Sequence, residues 1–367
     1  MNIAYRFQIY PTEEQKILLG KTFGCCRFLY NQMLNDKIQE YEKTKKMLKN
    51  TPAMYKKEYP FLKEVDSLAL ANVQLHLEKA YKNFFREPKI GFPRFKSKHH
   101  SRNSYTTNVV NGNILVESKR IRLPKLKWIA MKKHREPAKG LRLKSVTVSM
   151  EPSGKYFASL LYEGDSCENQ AAEPDYSTAK ILGIDYAMQG MAVFSEEIEM
   201  EEAGFFRKNE KRLVREQRKL SRCVRGSHNY ELQKKKVARC HEKIRNQRRD
   251  YLHKLSRKIV DSYDAVAVED IDMKAMGQCL HFGKSVHDNG YGMFREMLDY
   301  KLAWKGKKIV KVDRFFPSSK KCCQCGRIKK ELKLSERVYH CVCGNEMDRD
   351  RNAAINIREE ARRMLTA

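Results

Sequence analysis

Cys322 and Cys325 form a CxxC followed by Gly326, and after a hairpin-length insert Cys341-Val342-Cys343-Gly344 presents a tighter second pair. Thiolates at such spacing suit a tetrahedral Zn²⁺ site of the structural kind. Cys322, Cys325, Cys341 and Cys343 are the preferred ligands, because thiolates bind zinc strongly and Cys341 lies near the knuckle turn. His340, which would restore a two-residue gap to Cys343, stands as the alternative to Cys341. Cys323 lies between ligands and is expected to point away, and the second pair argues against a redox CxxC. Directly downstream, Asp348-Arg-Asp350-Arg opens NAAINIREEARRML, a good helix former. Two more carboxylates end apolar runs: Asp185 follows ILGI and Glu269 follows AVAV. Taken singly these are a turn former, an acidic strand end and a helix cap. Taken together on a basic chain, they suit phosphodiester hydrolysis, in which carboxylates converge on two cations roughly 3.5–4 Å apart. Mg²⁺ fits, since it prefers oxygen ligands and keeps exchangeable waters.

The order strand–Asp, strand–Glu, Asp–helix matches a ribonuclease H-like nuclease core, with strand ends fixing the backbone beneath each carboxylate. ILGIDYAMQGMAVFS predicts two apolar strands around a turn. The N-terminal half has a different character. IAYRFQIYP reads as a strand ended by Pro11, and Thr12 with Gln15 fits a capping box. Leu18, Leu19, Phe23, Leu29, Met33 and Leu34 give the following helix one apolar side. Leu70, Val73, Leu77, Tyr81 and Phe84 do the same for a helix starting near Ser67. From Ser104 short strands alternate with turn signals, including Asn111-Gly112 and the hairpin SVTVSM–Pro152-Ser153-Gly154–YFASLLYEG. The pattern predicts a small β-barrel interrupted by a helical unit, then a polar linker over 164–178.

The 367-residue chain is long enough for two or three domains. Its net charge of +29 favours a polyanion, with nucleic acid ahead of a membrane surface. No apolar run is long enough to span a bilayer. The N-terminal residues lack a secretion pattern, so the expected location is the cytoplasm, nucleoid-associated in a prokaryote. Five of the eleven cysteines fall between 322 and 343, which points to metal; Cys25, Cys26, Cys167, Cys223, Cys240 and Cys279 show no ligand spacing. Residues 206–258 hold 20 Lys or Arg against five Asp or Glu, broken at Gly226-Ser227. Leu213, Leu220, Ile244, Leu252, Leu255 and Ile259 provide a docking stripe. The segment is expected to be a helical pair with one face packed and the other on a phosphate backbone. Arg215, Arg218, Arg222, Arg245 and Arg249 are the candidate contacts.

YRFQIYPTEEQ, FGCCRFLYN, GFPRFKSK, SYTTN, GIDYAMQG, AVAVEDIDMKAM and CxxCG…CxCGNEMDRDRNAAINI together resemble the TnpB (OrfB) family of transposon-encoded proteins, related to type V CRISPR effectors. The resemblance covers nearly the whole chain and is most specific at its last motif. It implies an RNA-guided, Mg²⁺-dependent DNA endonuclease that cuts both strands beside a short flanking motif; the alternatives are a nuclease-inactive, RNA-guided DNA-binding repressor, against which all three acidic positions speak, and a transposase acting without guide RNA. The partners would be a guide RNA from the transposon end and target DNA, with no membrane and a monomer favoured. It implies an α+β multidomain fold. A β-barrel, wedge-like domain would occupy 1–12 and 96–165, with a helical recognition insertion over 13–95 and a linker over 166–178. A RuvC-like, ribonuclease H-fold nuclease domain would occupy 179–317 and 344–367, with a zinc ribbon inserted at 318–343. By resemblance the third carboxylate is Asp350, two residues before Asn352, rather than Asp348. Asn72 and Gln74 become candidates for reading the flanking motif. The chain departs from the family in its CxC, where CxxC is frequent.

Overall fold

The computed structural model describes residues 2–98, 100–138, 140–164, 174–187, 191–199, 205–272, 290–333 and 335–367. Two compact units divide the chain, Met1–Ser166 and Cys167–Ala367. The expected linker lies largely outside the described residues, as do Cys167, Cys279 and the MKAM end of the second motif.

In the first unit, β1 (Asn2–Tyr10) runs antiparallel between β7 (Tyr156–Glu163) and β5 (Lys127–Lys132). The seven-stranded order is β2-β6-β7-β1-β5-β4-β3, with β2 (Ser104–Asn108), β3 (Leu115–Val116), β4 (Arg120–Leu123) and β6 (Arg142–Met150). Among the described residues no ladder joins β2 to β3. The helices lie between β1 and β2 in sequence: α1 (Glu13–Thr44), α2 (Pro52–Glu58) and α3 (Ser67–Arg86). Thr12 and Gln15 form the reciprocal capping box that starts α1. Asp66 caps α3 through Leu68 N–H. The two left-handed residues of a two-residue turn fall on Asn111 and Gly112 (φ 49° and 67°): glycine has no Cβ to clash, and asparagine is among the few other residues that adopt this region. One apolar cluster joins the inner face of the sheet (Phe7, Ile121, Leu160) to α1 and α3 (Leu29, Leu70).

The second unit is built on a four-stranded sheet ordered β11-β10-β8-β9. β8 (Ile181–Ala187), β10 (Ala265–Glu269) and β11 (Lys308–Val312) are parallel, and β9 (Met191–Phe194) returns antiparallel beside β8. The near-continuous burial of β8 and β10 is that of strands covered on both faces. On one face Leu182, Ile184, Val266 and Val268 pack against α5 (His228–Ser262) and α6 (Tyr291–Trp304). On the other, Ile181, Ala265, Ala267 and Val310 pack against Ile357 and Ala361 of α7 (Arg349–Thr366). The basic segment forms α4 (Phe205–Ser221) and the long α5. The predicted stripe serves two masters: Leu213 and Ile244 join the two helices to each other, while Leu252, Leu255 and Ile259 dock α5 on the sheet. No helix among the described residues is long and apolar enough to cross a membrane.

Candidate active site and metal centre

Strand periodicity decides where the first two carboxylates point. Side chains alternate between sheet faces, so Asp185 shares the face of Ile181 and Gly183, and Glu269 that of Ala265 and Ala267. That face carries α7. Parallel pairing of Val268 with Ile184 brings Asp185 and Glu269 to the same level at the carboxyl ends of neighbouring strands. α7 reaches this edge with its N-terminus. Asp348 caps it, its carboxylate accepting from Arg351 N–H at 2.9 Å, so Asp350 in the first turn is left for other work.

α7 approaches β8 closely because Gly183 has no side chain. A Cβ there would lie 2.0 Å from the Ala354 carbonyl oxygen. The approach leaves an electrostatic mark. Burial, then the charges of Glu269 and Asp350, push the Asp185 carboxyl up to about 8, with Arg349 opposing. Burial also raises Glu269. Asp185 therefore lies within reach of both other sequence-predicted carboxylates at the sheet edge, and such a cluster of like charges needs a counter-ion. Part of it is protein: Arg349, with a side chain only 12% exposed, places Nη2 and Nε 3.1 and 3.2 Å from Asp350 Oδ1. Arg337 adds a looser contact at 3.7 Å. Three carboxylates against these cations still form an oxygen-only donor set suited to hard divalent ions. They are not gathered as tightly as the cysteines, a spread compatible with ligands shared between two ions.

The cysteine quartet is compact. The ligand sulfurs of Cys322, Cys325, Cys341 and Cys343 all lie within 4.8 Å of one another, the one such group among the described residues. Cys322–Cys343 and Cys325–Cys341 are 3.7 and 3.6 Å apart. A tetrahedron with metal–sulfur bonds of about 2.3 Å has edges of about 3.8 Å, so the quartet fits Zn²⁺. His340 is outside it, 3.5 Å from Glu346 at the protein surface. Each half-site is closed by its glycine: the N–H of Gly326 reaches the Cys322 carbonyl, and that of Gly344 the Cys341 carbonyl, each at 3.0 Å. Both glycines have left-handed φ, 75° and 89°. Burial opposes a thiolate at Cys322, but N–H groups of Cys325 and Gln324 and the Asn345 amide bring the thiol down to about 6. Cys323 instead places its sulfur 3.5 Å from Met347 Sδ.

Two buried amides tie the knuckle to the helix of Asp350. Asn352 accepts from Cys323 N–H (3.0 Å) and donates to the Lys321 carbonyl (2.7 Å). Asn356 donates to the carbonyls of Ser318 and Lys321 (2.8 and 2.6 Å). Sequence reasoning missed Asn352 and Asn356 as clamps, Arg349 and Arg337 as counter-ions and Gly183 as a contact point. Two uncharged amides one turn apart, on a helix otherwise rich in charge, were the available signal for the clamp.

The other candidate residues are dispersed. Asn72 is turned inward: it is 6% exposed and donates to the Leu68 carbonyl one turn back. This corrects its assignment as a reader of flanking DNA, because helix packing buries the amide. Gln74 is engaged with Glu78 at 2.9 Å. Arg215 and Arg218 on the exposed side of α4, and Arg222 just past its end, line a groove of about 560 Å³ shared with Arg207, Lys211 and Lys219. Arg245 and Arg249 are exposed on α5, and Arg249 Nε lies 3.4 Å from His253 Nε2.

Residues 160–279 match a family described as "Probable transposase", and residues 291–357 a "Cas12f1-like, TNB domain". Residues 1–46 match a "Helix-turn-helix domain", although here they form β1 and the single helix α1. A "Putative RNA-guided DNA endonuclease" of Streptomyces pristinaespiralis is 34% identical over 96% of this chain and 88% of its own length. The chain belongs to the TnpB (OrfB) family. Another relative, "Putative RNA-guided DNA endonuclease InsQ" of Escherichia coli K12, is 31% identical over 96% of this chain and 91% of that protein. The whole fold is also similar to a Cas12f1 chain solved by cryo-EM with sgRNA and target DNA. There the TM-score is 0.59, with 13% identity and 98% of both chains covered. The TnpB family assignment thus rests on full-length sequence relatives, and the mixed α/β architecture on the structural likeness.

Proposed function

We propose that this TnpB-family protein is an RNA-guided endonuclease of double-stranded DNA. The observation that carries the reading is the convergence of Asp185, Glu269 and the Asp350 helix on one sheet edge, in a chain 34% identical to a relative so named. Asp185, Glu269 and Asp350 would hold Mg²⁺, which activates water and stabilises the leaving oxygen when bound. Arg349 orients the Asp350 carboxylate and offsets part of the site's negative charge. The four cysteines would hold Zn²⁺, which when bound would fix the hairpin of β12 (Val338–His340) and β13 (Glu346–Asp348) beside the N-terminus of α7.

In this reading the four-stranded unit is RuvC-like, 179–317 with 344–367, and 318–343 is its zinc-ribbon insertion. The seven-stranded sheet, 1–12 with 96–165, acts as the wedge-like barrel, and 13–95 is the recognition insertion. Guide RNA and target DNA meet the basic faces of α4 and α5, while base pairing supplies sequence selection and the protein reads a short flanking motif. The test is to purify the chain from cells carrying its flanking DNA and sequence the bound RNA. That RNA, reprogrammed, should direct Mg²⁺-dependent cutting that Asp185→Ala and Glu269→Ala abolish while target binding persists. The family description favours one second reading, a transposase. Recombination of its own DNA ends without any RNA would establish that reading and reject the first.

A further inference from the structure

Phe315 is 86% exposed, more than any other large apolar side chain among the described residues. It is held there by a firm turn. Its own N–H donates to Asp313 Oδ1 at 2.7 Å, and Phe316 N–H donates to the Asp313 carbonyl at 3.0 Å. Phe316, next in the chain, goes the other way and packs on the cluster beneath α7, with Lys321 Nζ 5.4 Å from its ring. One phenylalanine thus anchors the turn and its neighbour is presented to solvent.

The turn's position gives this exposure a use. β11 pairs in parallel with β10, placing Val312 opposite Glu269. Residues 313–317 therefore leave the sheet at the same edge as Asp185 and Glu269, one strand beyond Glu269, and strands are spaced about 4.8 Å apart. Arg314 ties the turn to that strand, its Nη2 lying 3.5 Å from Asp270, the residue after Glu269. An outward ring, fixed beside a phosphodiester-cutting site and next in the chain to Arg314, fits a nucleobase with its phosphate. Base–aromatic stacking tolerates any sequence, because every base has a π-face.

We infer that Phe315 stacks on a base of the DNA strand entering the carboxylate site, so that the strand is held unpaired with its scissile phosphate near Asp185 and Glu269. The inference rests on the endonuclease reading. Because guide pairing dominates total affinity, the effect belongs to strand loading. Loss of one such stack costs roughly 5- to 150-fold, which Phe315→Ala should express as slower single-turnover cleavage, with guided binding unchanged within about twofold and Phe315→Trp restoring the rate.

The decisive measurement uses the guide-RNA complex carrying Asp185→Ala, where no cutting occurs. 2-Aminopurine placed at successive positions of the target strands should be quenched at one or two sites near the cut. That quench should vanish when Phe315→Ala is added, with zinc content and melting temperature unaltered. Quenching and cleavage that ignore Phe315→Ala would overturn the stacking role while leaving the endonuclease reading intact. A wild-type complex that binds no guided DNA would remove both. A rate loss accompanied by a lowered melting temperature and undiminished quenching would assign Phe315 to packing and reject the proposal.

Discussion

Gly183→Ala tests whether the closeness of α7 to β8 assembles the site. The new Cβ would sit 2.0 Å from the Ala354 carbonyl oxygen and 2.9 Å from Arg358 Cβ, where ordinary contact begins at 3.4 Å. The obstructing atom is helix backbone and cannot swing aside, so α7 must retreat by about 1.4 Å, the difference between 3.4 and 2.0 Å. Overpacking of this kind costs roughly 1–3 kcal/mol, and a backbone clash belongs at the upper end. For a unit of this size that lowers the melting temperature by roughly 6–12 °C. Asp350 rides on the displaced helix, and a misplacement of about 1 Å in a reacting group costs on the order of 100-fold in rate. Thermal melting of zinc-loaded protein and single-turnover cleavage with bound guide RNA read the two effects. Gly20→Ala is the control: that site on α1 has nothing within 4 Å, and stability should hold or rise by up to about 1 kcal/mol. The close-approach argument fails if Gly183→Ala melts with Gly20→Ala and cuts within about threefold of wild type.

The raised Asp185 carboxyl predicts a pH effect in divalent-free buffer. The folded group holds its proton until about pH 8, against 3.8 ordinarily, so its ionisation opposes folding increasingly as pH rises through that window. Between pH 6.5 and 8.5 wild type should lose about 2 kcal/mol relative to Asp185→Asn, measured by urea denaturation; parallel curves for the two proteins would refute the buried-cluster electrostatics. Cys322→Ser should lower bound zinc well below one equivalent and loosen the start of α7, since structural zinc contributes to folding; metal analysis with hydrogen exchange over 345–357 checks it, and full zinc content would reject the quartet. Replacing Arg215, Arg218 and Arg222 by Ala should reduce the salt slope of RNA binding by about 2, and an unchanged slope would remove that face of α4 from the interface.

Much of this was legible in the residues. The Thr12–Gln15 box, the Asn111-Gly112 turn and the cysteine spacing are local signals, and local geometry carries them out as written. The structure gathers Cys341, and not His340, with the other three sulfurs, because the second turn carries Cys341 toward them while His340 lies on the exposed side of β12. Asn72 became a candidate through the resemblance alone, and a shared motif does not say whether an amide is spent on its own helix, as this one is.

The sequence by itself determined which groups are available: three carboxylates at element ends, four thiols in two turns, and an excess of cations. Strand alternation even sets Asp185 and Glu269 on the faces they occupy, since a period of two residues is a local property. Their meeting with Asp350 was decided only by tertiary structure. It depends on the parallel register of β8 with β10 and on a helix that Gly183 admits close to β8. It depends too on two asparagines that clamp the zinc knuckle to that helix. These are contacts between residues far apart in the chain, and their geometry follows from packing, which no short motif records. The perturbed Asp185 and the outward Phe315 are products of that packing, and both become visible only once the sheet edge exists.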